Sequence, residues 1–281
     1  MAIIFDGRFE RGATFDAYNR IDRQPEVTPI PPLAQGEASS YEYAADPAGL
    51  YGTVAKLTIR NASPGRCELR PFQISPQGPA VSGVFGEQWC WFSHYFPHDW
   101  IIDYPRGADG DASYLVPHAR ELVLQYHESP DVGDAAHYPS LQMYVYGDRM
   151  CVALTYDTTA TSPNTSAGRV PNLQVLSSWP LARGRWIEWV VRLKVSYAAD
   201  GILEIYRDGR LEFAETGLPT FYNDILGGYF KGGLYRYGDT QMPASRTIYH
   251  RGFVLGDVNS SYSEVSGKSV LDRAVIRGIV L

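Results

Sequence analysis

Along most of the chain, apolar and polar residues alternate over short runs separated by clusters of Gly, Pro, Asn, Asp and Ser. Alternation with a period of two puts successive side chains on opposite faces of a β-strand, and such clusters supply the turns between strands. Val54–Ile59 is one such run, closed by the turn-forming Asn61-Ala62-Ser63-Pro64-Gly65. The same reading predicts strands over Cys67–Phe72, Glu87–Phe96, Glu121–His127, Leu141–Tyr146 and Arg149–Tyr156. Further strands follow at Trp186–Val195, Ile202–Tyr206, Arg210–Phe213, Tyr229–Tyr235, Thr247–Leu255 and Ala274–Leu281. Shorter candidates lie at Ile3–Phe5 and Tyr41–Tyr43, in an opening stretch rich in Pro, Gly and acid. Gly147-Asp148 and Asp208-Gly209 fall between paired runs, where two-residue hairpin turns are expected. Loops are predicted over 75–83, 103–118 and 157–173. No heptad, sustained helical period or internal repeat appears. The pattern predicts an all-β protein, a jelly roll or sandwich of two antiparallel sheets, with residues 1–281 in a single domain.

Composition agrees with this pattern. Aromatic residues make up 13% of the chain, and 20 Tyr, 27 Gly and 19 Pro favour strands and tight turns over helices. A net charge of −6 argues against a nucleic-acid partner but leaves room for a locally basic cleft. Cys67, Cys90 and Cys151 lie inside strand-like runs with no metal-ligand spacing, so they read as small core residues. The start, Met1-Ala2-Ile3-Ile4-Phe5-Asp6-Gly7, lacks the basic and long apolar regions of a signal peptide. No window approaches the roughly 20 apolar residues of a membrane span. The expectation is a soluble chain made without a leader, deprived of one, or exported by another route such as a phage particle.

Three distant segments put related chemistry on strand faces. In Arg66-Cys67-Glu68-Leu69-Arg70, the residues Arg66, Glu68 and Arg70 share one face. In Gln125-Tyr126-His127, Gln125 and His127 share a face, and in Tyr229–Arg236 so do Tyr229, Lys231, Gly233 and Tyr235. Guanidinium, amide, imidazole, ammonium and phenol make poor core material, because each buried polar group needs a partner. They suit gripping an acidic sugar and moving a proton. Taken singly, each has a plain structural reading. The Arg66-Glu68-Arg70 ladder can be a solvated salt-bridge face, His127 a hydrogen-bonded structural histidine, and Gln125 an ordinary cross-strand partner.

Taken together, these segments resemble the polysaccharide lyases with a β-jelly-roll fold, nearest the heparin lyase I-like group and more loosely the alginate and glucuronan lyases. The R-x-E-L-R strand at Arg66–Arg70 comes first, then the aromatic strand Glu87–Pro97 ending in Pro. Gln125-Tyr126-His127 matches Q-x-H, Gly184-Arg185-Trp186 with Gly201–Gly209 resembles a G-x-W strand pair, and Tyr229–Arg236 matches Y-F-K-x-G-x-Y. The matches span about residues 50–240 in family order.

The resemblance implies β-elimination on a uronic-acid polymer, with loss of the C5 proton and departure of O4. The intermediate resembles an enolate dianion and needs preorganised donors, for which Arg66 or Arg70 and Gln125 are candidates. His127 and Tyr235 are the candidate proton movers, Tyr235 as acid and also as base, His127 as base or as a partner to the carboxylate. Glu68, between two cations, reads as an ion-paired orienter. Lys231, four residues before Tyr235 on the same face, is the cation expected to assist it, and Gly233 between them leaves room for a sugar ring. Arg70, Lys231, Glu68, Tyr229 and Arg236 complete the set expected to bind substrate. No cofactor is required. Asp109-Gly110-Asp111 reads as a turn, and a structural calcium enters only because some relatives carry one. The expected partner is an anionic polysaccharide, with no nucleic acid or membrane and a monomeric chain. Two other classes compete: a non-catalytic carbohydrate-binding module of the same fold, and a glycoside hydrolase. The hydrolase needs paired carboxylates that no strand supplies. Binding alone explains Arg66, Arg70 and Lys231 but not His127 together with Tyr235.

Overall fold

The structure, a computed structural model, describes residues 3–18, 20–24, 39–60, 65–71, 86–100, 121–128, 130–131, 134, 138–157, 173–224, 227–236 and 245–268. The strands in chain order are β1 (Ile3–Asp6), β2 (Arg20–Gln24), β3 (Ser40–Ala45), β4 (Thr53–Arg60) and β5 (Gly65–Arg70). Next come β6 (Glu87–Tyr95), β7 (Glu121–His127), β8 (Leu141–Tyr146), β9 (Arg149–Thr155) and β10 (Leu173–Pro180). The rest are β11 (Trp186–Lys194), β12 (Gly201–Arg207), β13 (Arg210–Leu218), β14 (Tyr229–Arg236) and β15 (Ser245–Gly256), followed by a short helix α1 (Tyr262–Ser266).

They form two antiparallel sheets. One has the order β13-β12-β11-β6-β15-β4-β3, with β1 added on β15; the other runs β10-β9-β8-β7-β14-β5-β2. Neighbours distant in sequence, such as β7 beside β14 and β6 between β11 and β15, are the crossovers of a jelly roll. The fold is therefore the expected two-sheet β-jelly roll.

The inward faces interdigitate. Cys90, Phe92, Val191, Leu193 and Phe253 of one sheet share a core with Leu69, Leu124, Met143, Val152, Leu154 and Leu234 of the other. Burying each large side chain contributes roughly 2 kcal/mol. A polar bond crosses between the sheets where Gln88 Nε2 on β6 donates to the Tyr126 hydroxyl on β7 at 2.9 Å. That tie fixes β7 from beneath, which matters because Gln125 and His127 flank Tyr126 and point the other way. The three cysteines are buried free thiols, as expected.

At the Asp208-Gly209 turn both residues have positive φ (49° and 88°), the type I′ geometry that suits a two-residue hairpin. Several elements depart from the sequence reading. β2 was not expected because Arg20–Gln24 carries one apolar residue. β10 was not expected because a bulge between Val175 and Ser177 breaks its alternation. Helix α1 roofs a separate apolar cluster of Trp89, Trp91, Val190 and Val254 with Tyr262 and Val265. Its signal was present: Ser261 and Glu264 form a capping box, and Gly267 closes the helix in a left-handed conformation. The Trp89/Trp91 face and the Phe92/His94 face of β6 are thus both buried, one under α1 and one between the sheets. The predicted strand at 274–281, the loops at 75–83 and 103–118, and most of 157–173 lie outside the described residues.

Candidate active site

β14 lies at the centre of the candidate site, with β7 on one side and β5 on the other. Register places Lys231 opposite Gln125, Tyr229 opposite His127, Gly233 opposite Glu68 and Tyr235 opposite Arg66. Residues directly opposite share a face. The alternation within β5 and β14 therefore brings Arg66, Glu68, Arg70, Gln125, His127, Tyr229, Lys231 and Tyr235 onto one wall, the side of this sheet away from the core. The expected juxtaposition holds. A bulge in β7 between Leu122 and Leu124 reverses its alternation, so Leu122 rather than Val123 lies opposite Tyr235. Beside Tyr235 the wall continues as an apolar cluster of Leu122, Tyr144, Cys151 and Ala153.

Glu68 is the electrostatic centre of the wall. Its side chain is fully buried, and its carboxylate gathers one amide donor and two cations. Gln125 Nε2 donates to Oε1. Arg66 Nε lies 3.2 Å and Lys231 Nζ 3.8 Å from Oε2. A buried carboxylate so placed holds one amide and two cations in fixed positions. Among the described residues, no donor reaches the buried Gln125 carbonyl oxygen, Oε1. Glu68 thus supports the groups around it, as expected of an ion-paired orienter.

His127 has a defined tautomer. Its Nδ1 lies 2.8 Å from the Glu128 carbonyl oxygen, which can only accept, so Nδ1 carries the proton and Nε2 keeps its lone pair. Burial, reinforced by Lys231, Arg66 and Arg70, pushes its pKa down to about 3. The ring is neutral at ordinary pH. The Glu128 carbonyl escaped the sequence reading because a backbone acceptor leaves no residue-type signal.

Two cations lie on aromatic rings of the wall. The Arg66 guanidinium carbon is 3.8 Å from the centroid of the Tyr235 ring, and that of Arg70 is 4.4 Å from the centroid of Tyr229. The Tyr229 ring lies nearly parallel to the His127 imidazole, with centroids 6.0 Å apart. The cation found against Tyr235 is therefore Arg66, whereas Lys231 ends beside Glu68. Arg66, His127, Tyr229 and Tyr235 keep part of their surface exposed, and Gln125 and Lys231 form the floor.

Two further positions take on structural roles. Arg236 points to the opposite face, away from the wall, where its guanidinium meets Glu121 at 3.0 Å; Arg246 of the other sheet meets the same carboxylate at 3.1 Å. It ties the sheets together. Gly233 is required by the approach of the neighbouring strand. Its φ is +148°, and a Cβ there would fall 2.3 Å from the Cys67 carbonyl oxygen of β5. Close approach of neighbouring backbones, not an open space above the sheet, excludes a side chain.

No group of three or more His, Cys, Asp or Glu among the described residues could hold a metal ion, and Asp109-Gly110-Asp111 lies outside them. No helix among the described residues is long and apolar enough to cross a membrane.

The fold is similar to that of the endo-β-1,4-glucuronan lyase from the fungus Trichoderma reesei, with a TM-score of 0.60 at 14% identity over 88% of this chain and 93% of that one. Weaker likenesses are to the family 7 alginate lyase A1-II′ (TM-score 0.47, 12% identity, 78% of this chain and 83% of that one) and to alginate lyase AlgAT5 (0.45, 16%, 83% and 87%). No curated protein matches the sequence. The family model described as polysaccharide lyase matches residues 84–253, a stretch that includes β7 and β14 with Gln125, His127, Tyr229, Lys231 and Tyr235. Matched over more than half of its length, the chain belongs to the polysaccharide lyase family.

Proposed function

We propose that the chain cleaves a uronic-acid-containing polysaccharide by β-elimination at the wall formed by β5, β7 and β14. The observation that carries the reading is the pairing of a neutral imidazole, Nε2 lone pair available, with a tyrosine under a guanidinium on one polar wall. The relatives' names, glucuronan lyase and alginate lyase, support a uronate polymer as the substrate class, and with it an extracellular place of action.

In this reading the substrate carboxylate is met by Arg66 and Gln125, which Glu68 holds in place. Their fixed charge and dipole stabilise the dianion that forms when the C5 proton leaves, without reorganisation at the moment of reaction. His127 Nε2 takes the C5 proton. The C5–H electron pair becomes the C4–C5 double bond, the C4–O4 bond breaks, and Tyr235 gives its proton to the departing O4. The carboxylate also adds negative charge near His127, opposing the cations that hold its pKa down, so the base strengthens as substrate binds. Where C5–H and O4 lie on the same side of the sugar ring, one group must reach both. Tyr235 then serves as base and acid, and Arg66 against its ring favours the negative charge between the two steps.

The test is incubation with polyglucuronate, alginate and heparin-type chains, following ultraviolet absorbance of the new double bond alongside reducing ends. The reading expects both signals to rise together on at least one polymer. It also expects His127→Ala and Tyr235→Phe to lose them while unfolding at the wild-type temperature. Reducing ends without absorbance would show hydrolysis; binding with neither signal would show a non-catalytic module.

A further inference from the structure

Tyr126 separates Gln125 from His127 in sequence, and its side chain points inward, away from the wall. It is fully buried and ends in a hydroxyl, which needs hydrogen bonds there. Gln88 Nε2 on β6 donates to that oxygen at 2.9 Å from the opposite sheet. The Gly228 backbone N–H donates to it as well, from the residue immediately before β14. One oxygen therefore joins three strands: its own β7, β6 of the other sheet, and the start of β14.

The ring takes part in the same anchorage. A Cβ on Gly228 would fall 2.3 Å from Tyr126 Cε1, so the backbone at 228 rests against the ring with no space for a side chain. Phe230, directly opposite Tyr126 in register, meets the ring edge-on with centroids 4.8 Å apart.

The positions held in this way adjoin those that carry the chemistry. Tyr126 precedes His127, and β14 runs from Gly228 through Lys231 to Tyr235. Regular pairing of β14 with β7 extends only from Tyr229 opposite His127 to Gly232 opposite Leu124, where the bulge shifts it. So short a ladder fixes the spacing of two strands poorly, and a bond beneath its open end supplies what it lacks.

We infer that Tyr126 is a positioning residue: its hydroxyl ties the end of β7 and the start of β14 to the opposite sheet, and so holds the strand of His127 in place against the strand of Tyr235. The inference rests on the lyase reading, in which His127 and Tyr235 touch the substrate.

The test is Tyr126→Phe in the full chain, which keeps the ring and removes the acceptor. Leu203→Ala is the control, at a buried position on β12 of the other sheet. Steady-state constants on the polymer that the wild type cleaves are measured together with melting temperatures. Tyr126→Phe is expected to lower kcat by about tenfold to a hundredfold, the effect of misplacing a reacting group by about 1 Å, with KM within about twofold. Leu203→Ala opens a cavity and should melt at least as low, yet keep kcat within about twofold. Hydrogen exchange of the Gly228 amide, followed by NMR, should speed up by about tenfold in Tyr126→Phe, because its acceptor is gone. Should Tyr126→Phe fail to fold, Gln88→Met removes only the tie to the opposite sheet and is expected to lower kcat by about threefold to tenfold. Wild-type kcat in the variant that folds would overturn the inference, as would an equal loss of kcat in Leu203→Ala or unchanged exchange at Gly228 in Tyr126→Phe. If the wild type makes no unsaturated product from any uronate, the lyase reading fails instead, and exchange at Gly228 alone decides whether Tyr126 anchors the strands.

Discussion

Glu68→Gln keeps the shape of the side chain at the centre of the wall and removes its charge. The carboxylate is fully buried and lies 3.2 Å from Arg66 Nε and 3.8 Å from Lys231 Nζ. With an effective dielectric constant of about 20, those separations correspond to attractions of roughly 5 and 4 kcal/mol. Desolvation of the ions cancels much of that sum, so the pairs add little net stability over an apolar replacement. Removing one partner is different, because Lys231 stays buried and loses the Glu68 charge beside it; such losses cost about 3–5 kcal/mol. In a domain of this size each kcal/mol shifts Tm by about 2–4 °C, so a fall of about 10 °C is expected. Gln125 also loses its charged acceptor, and kcat/KM should drop by about tenfold or more, the scale on which a lost charge-assisted contact is felt. Thermal and urea unfolding with steady-state kinetics on the same preparations measure both effects. A variant melting within about 2 °C of wild type with unchanged kcat/KM would show that Glu68 does not organise the wall.

Arg236→Met tests the placement of that residue: stability should fall by about 1–2 kcal/mol, less than for a stranded charge because Arg246 still meets Glu121, while KM stays put. A raised KM without loss of stability would return Arg236 to the substrate. Arg66→Lys keeps a cation but not a flat guanidinium on Tyr235, so kcat should fall more than KM rises; unchanged kcat would remove Arg66 from the chemistry. Burial holds His94 well below its ordinary pKa and His250, like His127, down to about 3. All three are neutral when folded, and the unfolded chain takes up protons near pH 6.5. Stability is therefore full above that pH and lost as pH falls from 6.5 toward 3, by roughly 1 kcal/mol per pH unit for each histidine. Urea midpoints at pH 7 and 5 check this. His250→Asn, which keeps an acceptor for the Gly252 N–H, should flatten the slope, and an equal slope would refute neutral burial of His250.

The wall was legible because alternation runs unbroken through β5 and β14, so Arg66, Glu68 and Arg70, like Tyr229, Lys231 and Tyr235, stay in phase. The same alternation puts Arg236 one residue out of phase with Tyr235, on the inner face; the family motif, which runs up to its neighbour, masked that. Glu68 as an orienter was readable from the cations two residues away on each side. Which cation meets which ring was not, since long flexible side chains choose partners across strands whose register the sequence leaves open. Gly233 was singled out in the sequence, but the clash that excludes a side chain comes from Cys67 on another strand and was not legible there. β2 and β10 were hidden by polarity and a bulge. The capping box of α1 was visible in the sequence at Ser261 and Glu264, although a five-residue helix leaves almost no periodicity to support it.

The most direct test of the central claim is a crystal structure of Tyr235→Phe with a uronate oligosaccharide bound. The account predicts one sugar carboxylate within hydrogen-bond distance of Arg66 and Gln125, with C5 of that unit beside His127 Nε2 or the edge of the residue 235 ring. A saccharide bound with its carboxylates away from this wall, or seated on the other sheet, would contradict it.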